Sequence, residues 1–392
     1  MDPRRNPYSP GAGSPPPELA GRDEIIERAA IALDRIRNRR AARSLILYGL
    51  RGVGKTVLLN RIAQDAEARG IVGVRIEAPE QRSLPALLAP PLRTALIRLS
   101  RVEAAKSGAQ RAMRALASFA SALKIKYHDI QLGLDVKPEK GVADSGDLDT
   151  DLSQLIAAVG DAAAERKTAL VLFVDELQYV PEEQLAALIM ALHSANQAQL
   201  PTTMMAAGLP QVLGQAGRAK SYAERLFEFV SIDRLDRAAA TAALCIPAKY
   251  EKVEFEPAAV EVILDRTQCY PYFLQEWGKH SWNVADTSPI TATDATRASD
   301  QALAELDASF FRVRFDRLTP AEKRYMRAMA DLGAGPHRSG DIADRLGKKV
   351  TGVAPIRNSL IAKGMLYSPA HGDTAFTVPL FDGFMKRILP EG

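Results

Sequence analysis

Gly49-Leu50-Arg51-Gly52-Val53-Gly54-Lys55-Thr56 has the spacing GxxxxGK[ST]. Glycines at its two ends let the backbone curl until successive N–H groups point inward, a concavity suited to phosphate oxygens. A helix starting near Lys55 adds the positive end of its dipole. In that frame Lys55 reaches the β- and γ-phosphates of a nucleotide, and the Thr56 hydroxyl joins a Mg²⁺ shell. All eight residues (Gly49, Leu50, Arg51, Gly52, Val53, Gly54, Lys55 and Thr56) are candidates for holding the nucleotide. The flanks agree. Ser44–Tyr48 is a short apolar run that predicts a buried strand. A helix is expected over Thr56–Arg69 and a second strand over Ile71–Ile76. Strand, loop, helix and strand in that order open an α/β unit with a parallel sheet.

Further strands are expected at Ala169–Val174, Thr202–Ala207 and Glu228–Ile232, with helices at 23–39, 151–165 and 181–198. The run Leu170-Val171-Leu172-Phe173-Val174 ends in Asp175-Glu176, the Walker B arrangement. There Asp175 is the metal candidate beside Thr56, and Glu176 is the candidate that polarises an attacking water. Residues 83–124 are helical in period. Residues 125–147 alternate and then turn polar, which predicts a small hairpin and a loop. Together 83–150 is expected as an insert within the core, and as a candidate partner surface. Residues 235–308 are helical in pattern, and 1–20, rich in Pro and Gly, are expected to lack regular structure.

These motifs resemble the AAA+ ATPases of the initiator type (origin-recognition-complex-like), with relatives among archaeal-type and STAND P-loop ATPases. The likeness rests on Leu19-Ala20-Gly21-Arg22-Asp23, GLRGVGKT, FVDELQ and Gly208-Leu209-Pro210. It implies a five-stranded parallel P-loop core over 21–233, a helical lid over 234–311 and a winged helix over 312–392. It also implies ATP and Mg²⁺ as ligands, ATPase activity, Arg22 near the base and Pro271 near the adenine. Arg225, just before the fifth strand, is similar to the arginine finger that acts on a neighbouring subunit, which implies a homo-oligomer. Two features depart from the family pattern. The fourth strand ends Ala206-Ala207-Gly208 without the usual polar sensor, and Cys269 of Thr267-Gln268-Cys269-Tyr270-Pro271 stands where the related stretch has Gly. Trp277 and Trp282 fall in the lid, as an aromatic core or as a stacking platform.

The C-terminal part predicts helix, helix, turn, helix and hairpin. Thr319-Pro320-Ala321-Glu322 carries the signals of a helix start, with a cap, Pro at the first position and Glu at the third. Ser339 is expected to cap a second helix and Thr351 a third, which would put Pro355 at its fourth position. Strands are expected at Met365–Ser368 and Ala375–Val378 around His371-Gly372-Asp373. In a winged helix the third helix enters the major groove. The candidates for double-stranded DNA are therefore Lys348, Lys349, Thr351, Arg357, Asn358 and Lys363, with Arg357 and Asn358 aimed at base edges. A module that binds protein, as in a STAND-like signalling or scaffold ATPase, is the alternative.

Composition narrows the classes. With 47% hydrophobic and 25% charged residues in 392, the chain is globular rather than disordered or collagenous. Two cysteines cannot build a disulfide framework. No leader-like or membrane-spanning run is present, so a cytoplasmic location and no membrane partner are expected. The net charge of +4 is unevenly distributed. Residues 312–392 hold 14 basic and 8 acidic residues, leaving the remainder slightly acidic. This places the positive surplus on the expected nucleic-acid module.

Overall fold

Five apolar runs become five strands, and their burial explains why they pair as they do. A computed structural model describes residues 1–390 except 12, 14, 80–81, 101–105, 124–137 and 222. Residues 125–137 of the hairpin and loop expected over 125–147 therefore lie outside the described residues. The described chain forms two compact units, one of residues 22–48 and 55–231, the other of 1–21, 49–54 and 232–392.

In the first unit the elements run α1 (Asp23–Arg37), β1 (Ser44–Tyr48), α2 (Lys55–Ala68), β2 (Val72–Glu77), α3 (Leu84–Ser100), α4 (Lys106–Ala122), α5 (Leu148–Glu165), β3 (Leu170–Asp175), α6 (Glu182–Gln197), β4 (Thr202–Gly208), α7 (Val212–Ala219), α8 (Ala223–Leu226) and β5 (Phe227–Ser231). The strands make one parallel sheet in the order β2-β3-β4-β1-β5. Successive strand residues point to opposite faces, yet all of Leu170–Val174 are at most 2% exposed. Both faces of β3 are therefore covered, as a parallel sheet requires. β4 lies between β1 and β3, with Tyr48 level with Gly208 and Val174 level with Ala206. The carboxyl ends of the three strands thus share one edge.

The described helices of 83–150 pack into this unit. Its α3 and α4 pack against each other, α3 against β2 and α5, and α4 against α5. Leu88, Leu92, Leu96, Leu116 and Phe119 are fully buried in the main core. Apolar helices of this kind are recruited wherever they cover sheet and neighbouring helices, and sequence spacing alone did not reveal that.

The second unit continues with α9 (Arg237–Tyr250), α10 (Pro257–Thr267), α11 (Pro271–Val284), α12 (Ala292–Leu306), α13 (Arg312–Asp316), α14 (Pro320–Asp331), β6 (His337–Arg338), α15 (Ser339–Arg345), α16 (Val350–Ala362), β7 (Leu366–Tyr367), β8 (Asp373–Phe376) and α17 (Phe381–Ile388). β6, β8 and β7 form an antiparallel sheet in that order; β6 was not expected. The expected boundary at 311 falls inside a core. A π-turn at Asp307–Phe311 joins α12 to α13. Phe311 lies between Phe273 of α11, at 6.4 Å, and Phe384 of α17, at 5.3 Å between ring centroids. Aromatic rings at such spacing contribute beyond their buried area, so α11, the π-turn and α17 share one apolar interior.

Apart from one short turn, the described residues of 1–20 form no helix or strand, as expected, but they are bonded to the helices behind them. Pro3–Arg5 is a 3-10 turn. The Tyr8 hydroxyl donates to the Leu244 carbonyl, and the Trp282 indole donates to Asp2 O at 3.0 Å. Trp277 donates to Ser299 Oγ at 2.9 Å. Both tryptophans are 2% exposed, so they are lid core and not a stacking platform.

α14 begins as its residues predict, with a reciprocal box between Thr319 and Glu322. Glu322 is buried. Its carboxylate accepts from Lys363 Nζ, Ser359 Oγ and the Thr319 N–H, each at 2.7 Å. Burial by itself would raise its pKa; Lys363, Thr319 and Ser359 outweigh that and hold the carboxyl at about 2, against its usual 4.5. A carboxylate depressed on folding contributes stability above its unfolded pKa and loses it as pH falls. The thermal stability of the second unit should therefore fall as the pH drops from the usual value of 4.5 to about 2. Glu322→Gln should be less stable at neutral pH and show a flatter acid limb, as read by circular dichroism melts across pH.

Candidate functional site

The loop after β1 is shaped by its glycines. A Cβ on Gly49 would stand 2.0 Å from the Ile232 carbonyl oxygen, so no side chain fits there. Gly52 and Gly54 have φ of +86° and +90°, in the left-handed region that glycine enters freely. α2 begins at Lys55, directly after the curl, which leaves its first N–H groups without helical partners.

In the first unit, the Thr56 hydroxyl donates to Asp175 Oδ2 at 2.7 Å. The Glu176 N–H donates to Asp175 Oδ1 at 2.9 Å. Desolvation raises the Asp175 pKa; the hydrogen bonds from Thr56 and Glu176 and the charge of Lys55 pull the other way. A partly buried carboxylate beside a hydroxyl, with burial dominating, is a donor set that suits a hard divalent cation. Glu176 sits at φ +53°, a left-handed conformation that costs a non-glycine residue ~1 kcal/mol or more. Its carboxylate accepts from Gln178 Nε2. Arg225 is exposed on the short α8 ahead of β5. Arg22 is the residue before α1, and its carbonyl accepts from the Ile25 and Ile26 N–H groups at 3.1 Å.

In the second unit, residues 49–54 are bonded to neighbours the sequence did not signal. The Arg51 N–H donates to Thr377 O at 3.1 Å, and Arg51 Nε to Gly364 O at 3.4 Å. The Tyr270 hydroxyl donates to Arg51 O, and the Tyr272 N–H to Gly52 O at 3.1 Å. Burial pushes the Tyr270 phenol up, so it stays a donor. The Arg51 N–H is thus already engaged, which moves the candidate cradle to the residues after it. Pro271 is the first residue of α11. Gln268 and Cys269 have φ of +52° and +57°, two consecutive left-handed residues. This accounts for the glycine of the related stretch: the backbone at Cys269 adopts a conformation that glycine supplies without strain.

The C-terminal candidates divide. Lys348, Lys349, Thr351 and Asn358 are exposed. Arg357 is not free for base edges, because it donates to Thr374 Oγ1 and Ser368 Oγ at 2.8 Å and to Asp373 O at 3.0 Å, strapping α16 to the hairpin. Lys363 is bonded to Glu322 and to Arg317 O. Helix spacing indicated that both were off the core face, but not that neighbouring loops would offer them acceptors. Two caps also differ from expectation. Lys349 precedes α16, so Thr351 is its second residue and Pro355 its sixth. α15 starts at Ser339 itself, whose N–H and hydroxyl both donate to Gly372 O at 2.9 Å.

Residues 18–205 match the family described as an AAA ATPase domain. Residues 308–385 match a domain of unknown function (DUF8462). No curated protein matches the chain. Among solved structures it is similar to the Aeropyrum pernix Orc1 protein in complex with DNA, at 13% identity and a TM-score of 0.48, covering 95% of this chain and 94% of that one. Cdc6p from Pyrobaculum aerophilum gives 13% identity and 0.48, covering 99% and 98%. The Thermotoga maritima RuvB branch migration motor gives 15% and 0.45, covering 91% and 92%. Likeness at this distance does not decide function, which rests on the groups described above. No helix among the described residues is long and apolar enough to cross a membrane.

The internal role of Arg357 has a measurable consequence. Arg357→Ala should destabilise the C-terminal helices and hairpin by about 1–3 kcal/mol, the cost of losing the charged hydrogen bonds, among them the one to the buried Thr374 hydroxyl. Amide exchange in 366–376 should accelerate, whether or not any ligand is added.

Proposed function

We propose that the AAA ATPase domain of residues 18–205 is of the initiator type, and that it works as a nucleotide-dependent switch for a C-terminal winged helix that binds double-stranded DNA. The observation that carries the nucleotide reading is the Thr56–Asp175 hydrogen bond of 2.7 Å between the helix after the glycine loop and the end of β3. In this reading the N–H groups from Gly52 to Thr56 and the Lys55 ammonium hold the phosphates. Thr56 and Asp175 would hold Mg²⁺ brought in with ATP, where its charge offsets that of the phosphates. Glu176 accepts a proton as the water oxygen bonds to the γ-phosphorus. The bond from that phosphorus to the bridging oxygen breaks, leaving ADP and inorganic phosphate. Arg225, exposed before β5, is the group a neighbouring copy would meet in a homo-oligomer.

The DNA reading is supported by the surplus of basic residues in 312–392 and by exposed Lys348, Lys349, Thr351 and Asn358. The helices α14, α15 and α16, followed by the β7–β8 hairpin, have the order of a winged helix. With Arg357 and Lys363 committed internally, readout through this face is expected to lean on phosphate contacts.

Lys55→Ala should weaken ATP binding by roughly 10- to 150-fold, the equivalent of a charged hydrogen bond of ~1.5–3 kcal/mol. Glu176→Gln should bind ATP normally and turn over about 10²- to 10⁴-fold more slowly. Wild-type turnover in Glu176→Gln would remove the assigned base. Replacing Lys348 and Lys349 together by Ala should lower the slope of log affinity against log salt by about 2 on duplex DNA. A wild type with no salt-sensitive duplex binding would turn the C-terminal module toward a protein ligand instead.

A further inference from the structure

Gln178 was not assigned a role by its place in Asp175-Glu176-Leu177-Gln178, but its amide makes a bond at each end. Nε2 donates to the Glu176 carboxylate. Oε1 accepts the Leu209 N–H at 2.9 Å, directly after β4. A carboxylate only accepts and a backbone N–H only donates, so the amide has one orientation that satisfies both. The bridge therefore connects the end of β3 to the end of β4. β4 itself offers no polar side chain there, since it closes Ala206-Ala207-Gly208 and is followed by Leu209, 1% exposed.

Glu176 gains a fixed direction from both sides. Its backbone is held left-handed, with its N–H on Asp175, and its side chain is held by Gln178. We infer that Gln178 is a positioning residue for Glu176, and that it links that carboxylate to the end of β4. The inference rests on Glu176 being the base in the proposed reaction. A shift of β4 would move the Leu209 N–H, rotate the Gln178 amide and change the direction of the Glu176 carboxylate. Misplacement of a reacting group by about 1 Å costs up to ~100-fold in rate.

The test uses the full chain with Mg·ATP, with and without duplex DNA, and measures kcat, KM and binding of a non-hydrolysable ATP analogue. Gln178→Ala should lower kcat by about 10- to 100-fold with KM and analogue binding nearly unchanged. In the Glu176→Gln background the same substitution should have almost no further effect, because the group it positions is already gone. Gln178→Glu keeps the size and the acceptor for Leu209, and so guards against simple misfolding. Ionised, it repels Glu176; protonated, it offers an O–H in place of the N–H. Its kcat relative to wild type should rise as pH falls. An equal fractional loss from Gln178→Ala in both backgrounds, or a change in KM or analogue binding with kcat intact, would overturn the positioning role. Turnover lost in Glu176→Gln but retained in Gln178→Ala would overturn this inference alone. A wild type without turnover, or Glu176→Gln turning over like wild type, would overturn the base assignment and this inference with it.

Discussion

The hydrogen bond from Thr56 to Asp175 spans a separation that the sheet itself imposes. Adjacent strands lie ~4.8 Å apart, so with β4 between them β1 and β3 are roughly 10 Å apart. Side chains at the ends of those two strands would not meet directly. They meet here because α2 starts at Lys55 immediately after the glycine curl, and its first turn brings the Thr56 hydroxyl to 2.7 Å from Asp175. If β4 lay at an edge, Asp175 would sit one strand nearer β1, and Gln178 would have no Leu209 N–H to accept. The strand order thus sets both the width of the carboxyl edge of the sheet and the partners of its acidic residues. That edge is where ligands bind in open parallel sheets.

In the second unit the governing constraint is different. Here an aromatic interior runs from Phe273 through Phe311 to Phe384, and polar groups around it are satisfied internally. Arg357 straps α16 to the hairpin, and Glu322 gathers Lys363, Ser359 and Thr319. Several charges that look like ligand contacts in a linear reading are therefore parts of the scaffold. Of the C-terminal candidates, Lys348, Lys349, Thr351 and Asn358 stay exposed. Residues 49–54 belong to this unit through Thr377, Gly364, Tyr270 and Tyr272, so the glycine loop has protein partners of its own.

Much was legible from residue order alone because the signals are short-range. The five strands read as apolar runs, and all five occur within one or two residues of expectation. Thr319, Pro320 and Glu322 read as a helix start because a cap, a fixed φ and a returning carboxylate involve only four residues, and the box is present. Ser339 and Thr351 share the residue types of caps, yet α15 and α16 begin a residue or two earlier. At Ser339 the hairpin carbonyl of Gly372 competes for the hydroxyl, and at Thr351 the preceding turn already admits helical geometry at Val350. That the helices α3 and α4 cover the sheet and α5 was not legible, because nothing local distinguishes an apolar helix that covers a sheet from one that decorates it.

By itself the sequence determined the glycine loop, the strand that ends in Asp175-Glu176, the positive surplus of the last 81 residues and the positions of most elements. Each is a property of a few neighbouring residues or of composition. The tertiary structure decided that β4 separates β1 from β3, that Gln178 joins Glu176 to Leu209, and that Arg357 and Lys363 are bonded inside the C-terminal module. Those facts depend on which buried donor finds which acceptor far along the chain. Residue identity states that a group needs a partner, and packing decides which partner it has.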